Sequence, residues 1–477
     1  MARKGKIDLV LEGVTIEAVA AEGKALAHVY LPGDEQEGPG RVVFVEFAVP
    51  GDIVDIRVLK KKKNYVEGRI ERIVKPSESR LAPFCGHFGV CGGCRWQPLP
   101  YEMQLQAKQR QVYDQLVRIG HLDIPEIRPI IGSDKTEYYR NKLEFSFSQK
   151  RWILDGENPE ALTDAERCAL GFHVSKFFDK VLDINHCCLQ PEPSNAIRLF
   201  LKKYALEHSL PFYNLRENHG LMRTVFIRTT EDGQVMVIVC FARESVEIIP
   251  LLEALKQEFP SVTSLYYIVN GKLNDSINDQ ECILYSGADA IYETMENLRF
   301  KIGPKSFFQT NTPQAYKLYS VAREFAGLTG SEVVYDLYTG TGTIAQFISS
   351  KASKVIGIEY VEDAIEDARI NAAANGIGNC EFFAGDMKDV LTGSFVQEHG
   401  RPDVMIVDPP RAGMHPDVVK VILEAAPCRI VYVSCNPASQ ARDIAMLSGK
   451  YKVTAVQPVD MFPHTQHVEN VCKLELV

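Results

Sequence analysis

The sequence predicts a multidomain protein: a small OB-like N-terminal β-barrel, a central α+β domain, and a C-terminal Rossmann-like α/β domain on a doubly wound, mostly parallel sheet. Three observations carry this. The chain has 477 residues, too many for one hydrophobic core, so two or three domains are expected. Its first seventy-odd residues alternate short apolar runs with Gly-rich turns, the pattern of a small barrel. From residue 301 onward, strand-length apolar runs alternate with helical stretches, the rhythm of parallel βαβ units.

The first domain is expected over residues 1–75. Val54, Ile56 and Val58 alternate with Asp55 and Arg57, a half-buried strand. Residues 42–49 form a neighbouring apolar run, and Pro50-Gly51-Asp52 separates the two. Lys60-Lys61-Lys62-Lys63 is the one dense basic run; it reads equally as an RNA patch and as a solvated loop.

The central domain is expected over residues 76–300. It opens on three clustered cysteines, followed by a Gln-rich helical stretch over 101–119. Leu143, Phe145 and Phe147 alternate with Glu144, Ser146 and Ser148, which predicts a strand with one buried face. Residues 224–239 read as a hairpin turning at Asp232-Gly233. A helix over 246–258 and a strand over 264–269 complete the α+β pattern.

The C-terminal domain is expected over residues 301–477, with strands at 333–335, 354–358, 380–383, 404–407 and 430–433. The polar residues that carry chemistry stand at the carboxyl ends of these strands, where open α/β sheets bind ligands. Gly340 and Gly342 permit close backbone approach. Glu359 and Asp386 end the next two strands; they can grip ribose hydroxyls and an adenine amino group, or cap helices. Cys435 follows an apolar strand and precedes Asn436-Pro437, which suits an exposed nucleophile, although a lone cysteine is more often core.

Composition narrows the classes. Apolar and charged fractions of 45% and 24% are those of an ordinary globular protein. No apolar stretch is long enough for a bilayer, and residues 1–6 are not followed by a signal-peptide core. A cytoplasmic location without a membrane partner is expected. The net charge of −9 excludes indiscriminate wrapping of nucleic acid, so RNA must be held by local patches. Twelve cysteines in a long chain of this kind do not form a disulfide framework.

Four segments stand out: Asp336-Leu337-Tyr338-Thr339-Gly340-Thr341-Gly342-Thr343, Asp408-Pro409-Pro410-Arg411, Ser434-Cys435-Asn436-Pro437 and His467-Val468-Glu469-Asn470. Taken together they resemble the RNA uracil-C5 methyltransferases, and most closely their iron–sulfur branch acting on 23S ribosomal RNA. The resemblance implies a front TRAM domain and a class I domain using S-adenosylmethionine. It implies Cys435 as nucleophile at uracil C6 and Glu469 as the base at C5. It assigns cofactor contacts to Gln309, Tyr338, Thr343, Glu359, Asp386 and Asp408. Asp408 can orient either the uracil edge or the cofactor's charged end, and Arg411 is a candidate for holding a phosphate or a carbonyl. Tyr338 and Thr343 stand where relatives carry Phe and Asn, changes that keep stacking and polarity. Amino-group methyltransferases have an aromatic residue after this Pro-Pro element and cytosine-C5 enzymes a cysteine beside its Pro; here Arg411 follows and no cysteine adjoins. The expected partner is 23S rRNA with a loop or flipped-out uridine, and the expected state a monomer. Arg140 with Tyr138 and Tyr139 is a candidate RNA clamp, or a core tyrosine beside a solvent-facing arginine.

Cys85, Cys91 and Cys94 sit among glycines, and Cys187-Cys188 can supply a fourth thiolate. The resemblance implies a [4Fe–4S] cluster held by Cys85, Cys91, Cys94 and Cys187; four thiolates also suit zinc, and Cys188 competes as the fourth ligand. Two rival functions are a tRNA T-loop uridine methyltransferase and a non-catalytic RNA-binding iron–sulfur protein. The tRNA relatives usually lack the front barrel and the cysteines, so both features favour ribosomal RNA.

Overall fold

The computed structural model describes residues 8–31, 33–34, 38 and 40–477; residues 1–6, read above for a leader, lie outside them. The N-terminal sheet comprises β1 (Val10–Thr15), β2 (Ala18–Val19), β3 (Ala25–Val29), β4 (Arg41–Val45), β5 (Ile53–Lys61) and β6 (Tyr65–Lys75). Its order is β1-β5-β6-β4-β3-β2, around Ala27, Val43, Val54, Ile56 and Val66. The apolar run at 42–49 yields a shorter strand, because Phe47 takes a left-handed φ of 64° and turns the chain. Asp55, expected to face solvent, is buried and accepts from the Gly13 N–H at 2.9 Å and from Arg72 Nε at 3.0 Å. Lys60 and Lys61 end β5 rather than lying in a loop.

Helix α1 (Tyr101–Asp114) continues as one π turn through Ile119. The central sheet follows: β7 (Lys142–Ser148), β8 (Ala169–His173), β9 (Val181–Asp183), β10 (Met222–Thr229), β11 (Val235–Phe241), β12 (Ser264–Val269) and β13 (Ile283–Gly287), with helices α2 (Ser194–Glu207) and α3 (Ile248–Glu258). Its order is β13-β12-β11-β10-β7-β8-β9. One face packs Phe145, Val225 and Val237 against Ile197, Leu201 and Leu252 of the helices. The other packs Phe226, Met236 and Ile268 against Phe300, Ile302 and Leu318 from later in the chain. The one-faced reading of residues 143–148 is therefore corrected: both faces are covered at this strand's end, and Ser146 and Ser148 are buried.

A hairpin, β14 (Ile291–Met295) and β15 (Leu298–Ile302), leads to α4 (Thr312–Ala326). The last domain alternates β16 (Val333–Leu337), α5 (Thr343–Ser349), β17 (Lys354–Glu359), α6 (Glu362–Ala374), β18 (Cys380–Ala384), α7 (Met387–Val390), α8 (Gly393–His399), β19 (Val404–Val407), α9 (Pro416–Ala425), β20 (Arg429–Ser434) and α10 (Pro437–Leu447), then ends in β21 (Tyr451–Val459) and β22 (Glu469–Leu476). The sheet order is β18-β17-β16-β19-β20-β22-β21. The first five strands are parallel, and β22 inserts antiparallel between β20 and β21. Helix α1 belongs to this sheet by packing: Val112 joins Tyr335, Val407 and Tyr432 in one core, as does Leu116 just beyond it. Lys108 Nζ donates to Asp460 Oδ1 at 2.6 Å with both side chains fully buried, and Tyr101 Oη donates to Asp460 Oδ2 at 2.8 Å. Among the described residues no helix is long and apolar enough to cross a membrane.

Candidate active site

Because β16 to β20 run parallel, their carboxyl ends share one edge, which carries the Tyr338–Gly342 turn, Glu359, Asp386, Asp408 and Cys435 in sequence order. Strand β22 runs the other way, so its first residue, Glu469, starts at the same edge. Ser434 faces Asn470 across the β20–β22 ladder. Cys435 and Glu469 are the next positions beyond that pair, close enough for the Glu469 charge to act on the Cys435 thiol. Two residues separated by more than thirty positions in sequence thus become neighbours.

Cys435 is held by its turn. Asn436 is the N-cap of α10, its Oδ1 accepting from the Ala438 N–H at 3.2 Å, with Pro437 in the first turn. The thiol sits directly before a helix N-terminus, whose free N–H groups and dipole favour a thiolate. Asn436 Nδ2 and Ser439 Oγ donate to the Arg411 carbonyl at 3.0 and 3.1 Å, fastening the Pro-Pro-Arg loop to the cysteine loop. Gln440 Nε2 donates to the Asn470 carbonyl at 3.2 Å and Asn470 Nδ2 to Gln440 Oε1 at 2.7 Å, fixing the start of β22 against α10.

The electrostatics are dominated by buried carboxyls. Burial, then the charge of Asp408, pushes Glu469 up to about 8. Burial and Asp336 push Asp408 up to about 7. Asp336 is itself raised to about 7 by burial, although Thr339 and the Ala345 N–H (3.1 Å) donate to its Oδ2. Its Oδ1 is buried without a partner. Burial, then Glu469 and Asp408, raises the Cys435 thiol to about 11, with Arg411 opposing. The edge is a recess of like-signed acids that suits a bound cation.

Tyr319 was not legible as a site residue. It is buried on α4 and its hydroxyl is pushed upward by burial and by Asp408, Asp336 and Glu469, with Gln309 opposing. In sequence its helical spacing with Ala315 and Ala322 reads as core. The Gln309 carbonyl accepts from Asn141 Nδ2 at 2.9 Å.

The glycine turn adjoins this recess. Tyr338 is left-handed (φ 64°), as are Gly340 and Gly342, and a Cβ on Gly342 would meet the Phe382 ring at 2.9 Å. Glu359 Oε2 accepts from the Gly340 N–H and Oε1 from the Val361 N–H, each at 3.1 Å. Asp386 caps α7, accepting from the Lys388 N–H at 3.2 Å. Thr343 is the buried first residue of α5, 3.2 Å from the Thr341 hydroxyl. Tyr360, exposed beside Glu359, is a second aromatic that the sequence did not single out.

Cys85, Cys91, Cys94 and Cys187 converge elsewhere, on one cavity of about 360 Å³ that Cys188 and Arg140 also line. Burial raises Cys94 to about 12 and Cys187 to about 11. Among the described residues no three His, Cys, Asp or Glu side chains form a single-ion cage. Of the candidate clamp only Tyr138 is exposed. Tyr139 is buried with its hydroxyl on the Pro463 carbonyl at 3.0 Å, and Arg140 lies 5.1 Å from the Phe462 ring centre.

Residues 288–476 match the family described as tRNA (Uracil-5-)-methyltransferase, and residues 12–70 match the TRAM domain. A protein of Porphyromonas gingivalis named an uncharacterized RNA methyltransferase is 56% identical over 467 residues, covering 96% of this chain and 98% of the relative. The chain belongs to the RNA uracil-C5 methyltransferase family. A Bacteroides thetaiotaomicron member of the same description is 56% identical over 462 residues, covering 96% of this chain and all of the relative. Among solved structures, the Pyrococcus abyssi tRNA (uracil-54, C5)-methyltransferase in complex with S-adenosyl-L-homocysteine superposes with a TM-score of 0.72 at 28% identity, covering 97% of this chain and 100% of that one.

Proposed function

We propose that this RNA methyltransferase makes 5-methyluridine in 23S rRNA from S-adenosylmethionine, acting as a cytoplasmic monomer. The adjacency of Cys435 and Glu469 at the sheet edge carries the reading. Uracil C5 is a weak nucleophile. The Cys435 sulfur bonds to C6 and pushes electrons onto the ring as an enolate, which makes C5 nucleophilic. S-adenosylmethionine supplies an electrophilic methyl on a cationic sulfonium. Glu469 takes the C5 proton, and the C6–sulfur bond then breaks to restore the ring and the thiolate. The acidic recess suits a cation, and a cation there favours the ionised forms of Glu469 and Cys435.

Gln309, Tyr338, Thr343, Glu359, Asp386 and Asp408 would hold the cofactor. The left-handed turn, the two backbone bonds that orient Glu359 and the unpartnered Asp336 oxygen support that fit. Cys85, Cys91, Cys94 and Cys187 would hold a [4Fe–4S] cluster, a fit supported by four thiols on one cavity. Cys187 is favoured over Cys188 because it is buried in one core with Cys91 and Cys94, whereas Cys188 is only partly buried.

A second reading has its own support. The Pyrococcus abyssi tRNA enzyme aligns with nearly the whole chain, so the front domain does not by itself separate ribosomal from transfer RNA. The test is mass spectrometry of the protein with S-adenosylmethionine and 5-fluorouridine-containing 23S rRNA or tRNA. Fluorine at C5 cannot leave as a proton does, so the adduct is trapped. An adduct at Cys435 on 23S rRNA is expected. An adduct on tRNA alone reassigns the substrate, and none on either favours a non-catalytic RNA-binding iron–sulfur protein.

A further inference from the structure

Two cations face each other where the central sheet meets the catalytic domain. Arg228 on β10 lies directly opposite Lys142 on β7. The other buried arginine of this sheet is fully engaged. Arg223, also on β10, reaches Asp275 Oδ1 through Nε at 3.0 Å and Nη2 at 2.8 Å, and the Lys272 and Asn274 carbonyls as well. Arg228 differs. It is 4% exposed, gives Nη2 to the Ser306 carbonyl at 2.6 Å, and leaves Nε without a partner. Burial alone depresses it, to about 10.

Lys142 is half-buried with Nζ 5.7 Å from the Phe226 ring centre. Burial, then Arg228, depresses it to about 8, and Glu144 is the one carboxylate acting against that. Among the described residues neither cation makes a salt bridge within 4 Å. Two like charges set side by side out of water oppose folding, and an anion between them relieves both.

The position specifies which anion. Arg228 bonds Ser306, and Asn141, beside Lys142, bonds the Gln309 carbonyl through Nδ2 and the Thr310 carbonyl through N–H at 2.8 Å. Both cations therefore flank the 306–309 segment, whose Phe307 is 68% exposed and whose Gln309 lies beside the buried Tyr319. A chain of net charge −9 must grip RNA through such local groups.

We infer that Lys142, backed by Arg228, binds a backbone phosphate of the RNA strand beside the target uridine, with the ring of Phe307 as an adjacent stacking platform. This rests on the reading of RNA as substrate at the Cys435 edge.

The test measures RNA affinity of Lys142→Gln, Lys142→Arg and Arg228→Lys between 50 and 200 mM salt, in parallel with 5-fluorouridine trapping by the unaltered protein. Loss of one single-strand phosphate contact lowers the slope of log K against log salt by about 0.7 and weakens binding several-fold. Lys142→Gln shows this loss. Lys142→Arg retains the slope, which separates charge from fold. Unchanged affinity and slope in Lys142→Gln and in Arg228→Lys, while the unaltered protein is trapped on RNA, overturns the site and leaves the proposed function standing. RNA neither bound nor trapped by the unaltered protein overturns both.

Discussion

Replacing the proposed base should stabilise the free protein while disabling it. Glu469 is buried, with its pKa raised from 4.5 to about 8. The folded chain therefore holds this proton more tightly than the unfolded chain does. Between pH 4.5 and 8 the folded state binds more protons, so stability falls as pH rises through that window. At pH 7.5 the difference spans about 3 pH units at about 1.4 kcal/mol each, or about 4 kcal/mol. Glu469→Gln removes the ionisation but buries an amide, which costs about 1–3 kcal/mol where its bonds are incomplete. A net gain of about 1–3 kcal/mol at pH 7.5 is expected, seen as a Tm several degrees higher in scanning calorimetry. At pH 4.5 the gain disappears, because the folded-state carboxyl is already protonated and only the cost of the buried amide is left. The same variant should accumulate the C6 adduct on unmodified RNA with S-adenosylmethionine, since nothing removes the C5 proton. An unaltered Tm at pH 7.5, or an equal gain at pH 4.5, would refute the assignment of a buried, destabilising carboxyl.

Three other outcomes follow from the same structure. The kcat/KM for methyl transfer should rise with pH between about 6 and 8 as Glu469 loses its proton; a flat profile across that range removes Glu469 as base. Lys108→Met leaves Asp460 charged in a fully buried site and should cost about 3–5 kcal/mol in denaturant unfolding; a loss below about 1 kcal/mol means that the pair is neutral or hydrated. Cys187→Ser should lower the iron and sulfide content of anaerobically purified protein, whereas Cys188→Ser retains both; the reverse pattern exchanges the fourth ligand.

What was legible follows from what the sequence encodes locally. Residues 264–269 and 404–407 are apolar runs between turn residues, and the strands form with those bounds. The Cys435 turn was readable because Asn-Pro is both an N-cap and a first-turn signal. The register that joins Cys435 to Glu469 was not, since it depends on β22 inserting between β20 and β21. Family resemblance proposed the pair; the ladder supplies the geometric reason for it. Ser146 and Ser148 misled because alternation reports polarity, and small hydroxyls tolerate burial against a second layer. Lys108 lay in a Gln-rich helical stretch whose composition does not signal its burial, and its distant partner Asp460 makes that burial tolerable.

Helix α1 has a bearing on modularity. The segment matching the catalytic family begins at residue 288, yet Val112 and Leu116, from far upstream, fill the core beneath β16, β19 and β20, and Lys108 neutralises Asp460. A gene fragment cut at residue 288 would expose that apolar floor and strand a buried carboxylate. The unit that recombination can move intact is therefore longer than the unit that sequence profiles recognise. A cut that leaves this core whole lies upstream of Tyr101.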